Sequence, residues 1–561
     1  MGGRRVALCV LAVVLCAGIL PVTAAPGGLS SITADDLKEW LTYVASDELE
    51  GRDTYSAGLG LAAGYIQEHL HAWRVKPAGD HEGYLQIVRV LGVKTRSHSS
   101  VTVKVGRETR TFKDGEGVVF PKNSGVRRAV TVDRVEFVGY GLDAPGAGRM
   151  DFRGKDVKGA AVVWLGPGGP RTVDAVAYRR LLTGRSRYAT DQRQAVASVS
   201  PEAPASGGGR DGDASGQDPA RGGPGRGPGA PDFTTTQRLD LPIPPSITAS
   251  DAFLSFLFSR APASYDDLKR SADARDDLPS FRLDGVTITF NVDATYEIVR
   301  TRRTQNVVAV VEGSDLRLKN TYVAFGAHYD HVGYSDGATG DGARRAPGRV
   351  TAGAADDRIW NGADDDGSGT VALMALARAF EEGPRPKRSL LFVWHAGEER
   401  GLLGSRYFAD YPTVPIDSIV AQLNLDMIGR NRDDKPGEAN TVYVVGSDRI
   451  SSELHEINRE ANRALGSPMT IDYEMNDPAD PEQVYYRSDH YSYAAKGIPI
   501  IFFTTGLHPD YHANTDEVSR IEFGKLTRVT ELVYETGVRV ANLDHPPARD
   551  NRGPRAGKGT R

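Results

Sequence analysis

Cysteine is almost absent from this chain. Its 561 residues include two cysteines, Cys9 and Cys16, and both lie in a short apolar stretch near the amino terminus. If that stretch is removed as a leader, the remaining chain has no thiol that could form a disulfide or bind a metal. Any metal ion would then have to be held by histidine and carboxylate side chains.

The amino-terminal stretch also lacks the length of a membrane span. The apolar run Val6–Leu20 is interrupted by Gly18, whereas about 20 apolar residues are needed to cross a bilayer. Arg4-Arg5 before the run and small residues after it are typical of a secretory signal. We therefore predict that residues 1–25 are a signal peptide and that the mature protein is secreted or periplasmic, without stable membrane insertion.

An excess of charge of one sign is missing as well. The chain has 68 Lys and Arg against 73 Asp and Glu, a formal net charge of −5, and the two signs are mixed along the sequence. This balance gives no basic footprint for a nucleic acid partner. The length of 561 residues exceeds that of one ordinary core, so two or more domains are expected.

The pattern along the chain divides it into parts. Residues 30–130 are predicted to be the amino-terminal part of a catalytic domain, and residues 131–290 a β-rich insert. Residues 201–232 are almost wholly small, charged or proline, a composition that predicts disorder. Residues 295–543 are predicted to complete the catalytic domain, followed by a disordered tail at 544–561.

Strand and helix patterns alternate in the last large part. Buried strands are predicted, from their apolar runs, at Asn306–Val311, Tyr322–Ala327, Leu390–Trp394, Ile419–Leu425 and Ile498–Thr504. Helices are predicted at Ser368–Glu382, Leu402–Asp410, Ser451–Leu465 and Phe523–Asn542. This alternation predicts an α/β fold with a mainly parallel central sheet covered by helices on both faces.

Ionisable residues lie at or after the ends of most of these strands, which is where open α/β sheets build their sites. There are seven such residues: His328, Asp330, Asp365, Glu398, Glu399, Asp426 and His512. Without cysteine, two zinc ions need imidazole and carboxylate ligands, and a shared carboxylate would hold them roughly 3.5–4 Å apart. Two side chains for each ion and one bridge suffice, so the seven residues predict a two-zinc site.

Several roles stay open on the residues alone. His331 competes with His328 as a ligand, and spacing does not exclude it. One of the three adjacent acids Asp364–Asp366 is expected to bridge, but local chemistry does not say which. Of the pair Glu398 and Glu399, one is expected to coordinate a metal and the other to accept a proton.

Six motifs in order, GAHYDH, DRIWNGADDDGSG, GEERGLLGS, NLDMIGR, RSDHYSYAAKGIP and HPDYHANTDE, resemble the co-catalytic zinc aminopeptidases of metallopeptidase family twenty-eight. The resemblance covers residues 306–542 and extends more loosely to residues 35–73, where Glu50-Gly-Arg52 is similar to the family. The GYG and DVKGAAVV segments of the middle part resemble the protease-associated domain that many members insert. The resemblance implies a zinc-exopeptidase fold of the catalytic part.

The resemblance also implies roles for individual residues. One zinc would be held by His328, Asp365 and Asp426, and the other by Asp365, Glu399 and His512. The implied general base is Glu398; Asp330 would support His328, and Tyr511 would help polarise the scissile carbonyl.

The implied function is an exopeptidase acting on peptide or protein amino termini. A carboxypeptidase, an amide hydrolase on small substrates and a non-catalytic, receptor-like relative are the alternatives.

Overall fold

The computed structural model describes residues 27–202, 229–337 and 347–550. The predicted signal peptide, the greater part of the predicted disordered segment and most of the predicted tail therefore lie outside the described residues. So does part of the long loop Gly333–Asp356. Among the described helices, none is both long and apolar enough to cross a bilayer.

A ten-stranded sheet organises the catalytic part. Nine of its strands lie side by side, in the spatial order Phe233–Thr235, Leu85–Ser97, Ala294–Val311, Ser389–His395, Tyr322–His328, Ile419–Leu425, Ile500–Thr504, Thr441–Val445 and Thr470–Asp472. The tenth, Lys76–Pro77, pairs with Ala294–Val311. Every residue of Ser389–His395 and Ile419–Leu425 is buried, as expected for apolar strands covered on both faces.

The centre of this sheet is parallel, as predicted. Tyr322–His328 pairs in parallel with both Ser389–His395 and Ile419–Leu425, and the latter pairs in parallel with Ile500–Thr504. One further strand flanks this group on each side: Ala294–Val311 pairs antiparallel with Ser389–His395, and Thr441–Val445 pairs antiparallel with Ile500–Thr504. The carboxyl ends of the four central strands therefore meet at one edge.

Helices cover both faces of the sheet, which confirms the predicted α/β class. Trp394 and Phe325 point into the larger core, which the helices on one face complete. These helices are Ala34–Val44, Ala57–Ala72, Gly369–Glu382, Ser452–Ala464 and Phe523–Ala541. Ala324 and Leu391, on the other side of the same strands, pack against the helices Leu403–Asp410 and His490–Ala494. Neighbouring residues of a strand point to opposite faces, so each strand contributes to both cores.

A second ten-stranded sheet is formed by residues that leave the first sheet after Leu85–Ser97 and return through Ala294–Val311. We call residues 98–293 the inserted region; within it, the strand Phe233–Thr235 remains part of the first sheet. Its strands, in spatial order, are Ser280–Arg282, Val135–Val138, Ala161–Val163, Ala197–Pro201, Ser246–Ala249, Gly117–Val119, Glu108–Asp114, Ser100–Val105, Val286–Val292 and Arg128–Val132. Its helices are Arg179–Thr183, Arg185–Arg187, Asp251–Leu257 and Tyr265–Asp273. Burial alternates along Val286–Val292, as in a sheet with one face on a core.

The predicted boundary of this insert at residue 131 is wrong. Ser100–Val105 pairs with Val286–Val292, and Gly117–Val119 pairs with Ser246–Ala249, so the sheet change occurs before Ser100. The alternating residues of this stretch predict strands correctly, but a period of two does not reveal which sheet a strand joins. Asp232 is the last residue of the predicted disordered segment 201–232. Its carboxylate accepts a hydrogen bond from the N–H of Thr95 at 2.7 Å.

Candidate metal site and pocket

Seven ionisable side chains meet at the carboxyl edge of the central strands. His328 ends the strand Tyr322–His328, and Asp426 directly follows Ile419–Leu425. We call the group the floor; its members are His328, His331, Asp365, Glu398, Glu399, Asp426 and His512. The structure thus brings together all five predicted metal ligands and the predicted base. His512 is the most exposed member, with 24% of its side chain accessible.

Asp365 lies between two imidazoles. Its Oδ1 is 3.3 Å from Nε2 of His328, and its Oδ2 is 3.1 Å from Nε2 of His512. Burial alone would raise the pKa of Asp365, but the two imidazoles outweigh burial and hold that pKa well below its usual range. The carboxylate therefore stays charged and offers one oxygen to each side of the floor.

The two neighbours of Asp365 face elsewhere. Asp366 accepts hydrogen bonds from the N–H groups of His328, Gly369 and Met427 at 3.0–3.2 Å. Asp364 accepts from the N–H of Gly429 and lies 3.3 Å from Nε2 of His508. Among the three adjacent acids, Asp365 is thus the one whose carboxylate lies between His328 and His512. Asp516, further back, accepts from the N–H of both Asp364 and Asp365 at 3.1 Å and so fixes the turn.

Asp330 contacts His328 through its main-chain oxygen rather than through its carboxylate. The Nδ1 of His328 lies 3.1 Å from the main-chain oxygen of Asp330 and 3.7 Å from its carboxylate. The carboxylate instead accepts from the N–H of Glu398 at 3.1 Å and from the Thr54 hydroxyl at 3.0 Å. Asp330 therefore ties the loop after His328 to the loop that carries Glu398. Burial raises the pKa of Asp330 to about 6, against the effect of His328.

The adjacent glutamates have opposite electrostatics. Burial, with Glu399 and Asp426 nearby, raises the pKa of Glu398 well above its usual range, although His328 opposes the shift. Burial also acts to raise the pKa of Glu399, but His512 and His331 outweigh it and lower the pKa to about 2. Glu399 Oε2 is 3.0 Å from Nε2 of His512. The surroundings of the two adjacent glutamates thus shift their pKa values in opposite directions.

His331 lies on the opposite side of the floor from His328. Its Nδ1 is 3.0 Å from Oε1 of Glu399 and 3.9 Å from Oδ2 of Asp365. The side chain is fully buried. Spacing left His331 as a competitor of His328, whereas the structure gives the two histidines different partners. The sequence carries no signal for this difference beyond the His-x-x-His spacing.

Arg52 is a residue that the sequence reasoning noted only within a loose motif. It is fully buried below the floor, and burial lowers the pKa of its guanidinium to about 10 although Asp330 and Asp365 oppose the shift. The guanidinium donates at 2.6–3.0 Å to four main-chain carbonyls, those of Val44, Tyr329, Asn361 and Gly362. Tyr329 and Gly362 belong to the loops that carry His328 and Asp365, so Arg52 holds the two ligand-bearing loops together.

A pocket of about 710 Å³, including its open mouth, lies over the floor. Its apolar lining residues are Leu402, Met427, Met475, Val484, Phe502 and Leu507. One side is formed by residues 475–491, which we call the wall; Tyr486, Arg487 and Ser488 of this segment reach the pocket. Tyr511 also lines the pocket and stacks on His512, with ring centroids 4.0 Å apart. Burial raises the pKa of the Tyr511 phenol to about 12, so the phenol keeps its proton.

The floor fits a pair of metal ions. The Nε2 of His328 and Oδ2 of Asp365 are buried and have no hydrogen-bond partner within the described residues. One ligand atom each from His331, Asp365 and Glu399 lie within 4.8 Å of one another, as do those of His328, Asp366 and Asp426. In the second set, Asp365 is a better metal ligand than Asp366, because the carboxylate of Asp366 already accepts hydrogen bonds from main-chain N–H groups. Imidazole and carboxylate donors suit zinc.

The chain was compared with known families and proteins. A family model described as "Peptidase family M28" matches residues 306–537. A probable leucine aminopeptidase of Trichophyton verrucosum is 26% identical over 237 residues, 41% of this chain and 54% of the relative. Aminopeptidase YwaD of Bacillus subtilis is 25% identical over 266 residues, 45% of this chain and 49% of the relative. The chain thus spans about half the length of these curated relatives.

Among solved structures, an aminopeptidase from Aneurinibacillus sp. strain AM-1 is 19% identical and gives a TM-score of 0.42. That comparison covers 93% of this chain and 99% of the other.

Proposed function

We propose that this chain is a two-zinc aminopeptidase acting on peptides with apolar amino-terminal residues, because the model described as "Peptidase family M28" matches residues 306–537. The observation that carries the proposal is the place of Asp365, which offers one oxygen to His328 and the other to His512 beside an apolar pocket. Export, as predicted from residues 1–25, belongs to the same proposal.

We propose that His328, Asp365 and Asp426 hold one zinc ion and that Asp365, Glu399 and His512 hold the other. Three arguments support this set: the distances within the floor, the burial of its atoms and the absence of cysteine from the described residues. Bound there, a zinc pair lowers the pKa of a water molecule and polarises the substrate carbonyl. His331 is placed to donate from Nδ1 to Oε1 of Glu399, which leaves Oε2, beside His512, for the metal.

Glu398 is the general base of the proposed reaction. It accepts a proton from the attacking water and later donates it to the leaving amine nitrogen. Burial raises the pKa of its carboxyl, which makes the carboxylate a stronger base. The Tyr511 hydroxyl donates a hydrogen bond to the developing oxyanion. Asp330 keeps the Glu398 loop in register with His328 through the Glu398 N–H.

The pocket favours an amino terminus over a carboxyl terminus. The floor supplies carboxylates for a free α-amine, whereas the cation among the lining residues, Arg487, is paired with Glu482 at 2.8 Å. The apolar lining suits a substrate side chain such as leucine, and the relative from Trichophyton verrucosum is named a probable leucine aminopeptidase. These features weigh against a carboxypeptidase.

A substrate panel with metal analysis tests the proposal. The zinc-loaded chain should hydrolyse aminoacyl amides and peptides with a free amine, with leucine preferred over aspartate and over lysine. Amino-blocked peptides with a free carboxyl end should be resistant, and elemental analysis should find two zinc ions per chain. Hydrolysis of the amino-blocked peptides would establish a carboxypeptidase instead. Two bound ions without hydrolysis of any substrate would establish a non-catalytic relative.

A further inference from the structure

The wall of the pocket is held from behind by the inserted region. Arg187 places its guanidinium 4.0 Å from the ring centre of Tyr486, and Asp191 accepts a hydrogen bond from the Tyr491 hydroxyl. Ala479 of the wall packs within the hydrophobic core of the inserted region. The wall therefore lines the pocket on one side and packs against the inserted region on the other.

A chain of charged groups runs from the inserted region into the pocket. Nε of Arg180, in the helix Arg179–Thr183, lies 3.3 Å from Oε2 of Glu482. The same oxygen lies 2.8 Å from Nη1 of Arg487. Nη2 of Arg487 then donates to the Tyr511 hydroxyl at 3.2 Å. The Arg487 side chain is 10% exposed and its partner Glu482 is 48% exposed, so the bond from Arg487 to Tyr511 is better shielded from water and salt than the bond to Glu482.

We propose that Arg487 is a positioning residue for the Tyr511 hydroxyl, and that the inserted region sets this position through Arg180 and Glu482. Arg487 fixes the phenol from one side while the His512 ring packs against its face. Glu482 restrains Arg487, and Arg180 restrains Glu482 by sharing its oxygen. The inserted region is thus needed to orient a hydroxyl of the reaction although none of its described residues lines the pocket.

This inference rests on the proposed function, and its test is a double-mutant cycle on the zinc-loaded full chain. Arg180→Met and Arg487→Met are each made alone and together with Tyr511→Phe. Each single variant should lower kcat by about 10-fold, with KM and zinc content unchanged, because coupled residues share their effect. In the Tyr511→Phe background both effects should fall below about 2-fold.

The matched control is Arg179→Met, which removes an exposed arginine from the same helix and should leave kcat unchanged. If the effects of Arg180→Met and Arg487→Met persist at full size in Tyr511→Phe, the residues do not act through the tyrosine and the inference fails. An equal loss in Arg179→Met would also overturn it.

Hydrogen–deuterium exchange gives a readout that needs no activity. Arg180→Met should speed exchange in the wall and in residues 508–514, and Arg487→Met should do so in residues 508–514, whereas Arg179→Met should change neither. Unchanged exchange in all three variants would contradict the coupling. If the wild-type chain hydrolyses no peptide, the proposed function fails, while exchange still decides whether the inserted region restrains Tyr511.

Discussion

The floor and the wall face the same pocket, but they are built on different principles. The floor is made of charged groups at strand ends, and its histidines are surrounded by carboxylates. Burial alone would lower the pKa of His328, but Asp426 and Asp365 raise it well above its usual value. The wall is aromatic, and burial lowers the pKa of His490 there to about 3. Neighbouring carboxylates thus raise the pKa of one histidine, whereas burial lowers the pKa of the other.

This contrast separates chemistry from recognition. The floor concentrates donors whose charges suit metal ions, and Arg52 and Asp516 hold its loops in place from below. The wall lines the pocket with Met475, Val484 and Tyr486 and receives its support from the inserted region. Changes in the floor should therefore alter metal binding and turnover, whereas changes in the wall should alter stability and orientation.

The largest expected effect distinguishes the two adjacent glutamates of the floor. Glu398→Gln removes the proton acceptor and should lower kcat by about 10²–10⁴-fold, while elemental analysis still finds two zinc ions. Glu399→Gln removes a ligand beside His512 and should leave the chain with one tightly bound ion. The two variants differ by one position and conserve shape, so each controls for the other.

Two results would contradict the roles assigned to these glutamates. If Glu398→Gln lost an ion and Glu399→Gln kept both, the roles would be exchanged. If both variants retained normal turnover, the floor would not be the site of proton transfer.

A smaller effect is expected from His331, whose Nδ1 faces Oε1 of Glu399. His331→Phe keeps an aromatic ring of similar size but removes the hydrogen bond to the carboxylate. Loss of such support costs about 10–100-fold in metal affinity. Competition with a zinc chelator should show this weakening for one ion, with the affinity of the other unchanged.

The control for this variant is His81→Phe, because His81 is an exposed histidine on the 3-10 helix Asp80–Glu82. It should bind both ions with wild-type affinity. Equal weakening of both ions in His331→Phe would show that His331 supports the whole floor rather than Glu399.

The same contrast explains what could be predicted from the sequence. The five predicted ligands and Glu398 follow apolar strands or precede a helix, and parallel strands bring such positions to one edge. The structure assembles all six residues there. Local chemistry did not select Asp365, because the choice depends on donors from distant residues, such as the N–H of Met427 that occupies Asp366.

The wall shows the limit of the sequence argument. Residues 475–491 have no period of two or of 3.6, and Pro478 and Pro481 interrupt them, so their pattern indicates only a loop. Their conformation is fixed by partners far away in the chain, such as Arg187 and Asp191 of the inserted region. The misplaced boundary at residue 131 has the same origin, because the partner of a strand is not encoded in its own alternation.

The smallest expected effect is a change in acid stability caused by the wall histidine. Nε2 of His490 lies 2.8 Å from the Tyr485 carbonyl oxygen, and the ring stacks on Phe502. The folded protein keeps this imidazole neutral down to a pKa of about 3, whereas the unfolded chain binds the proton near pH 6.5. The unfolded state therefore gains protons first, and stability falls as the pH drops below about 6.5.

His490→Gln tests this account, because its amide can still donate to the Tyr485 carbonyl but does not titrate. Between about pH 7.5 and about pH 5.5 the wild type should lose about 1.4 kcal/mol more of its free energy of unfolding than the variant. Urea unfolding of both zinc-loaded proteins at the two pH values measures the difference. Parallel losses in the two proteins would mean that His490 is protonated in the folded wall, and the electrostatic contrast between wall and floor would then not hold.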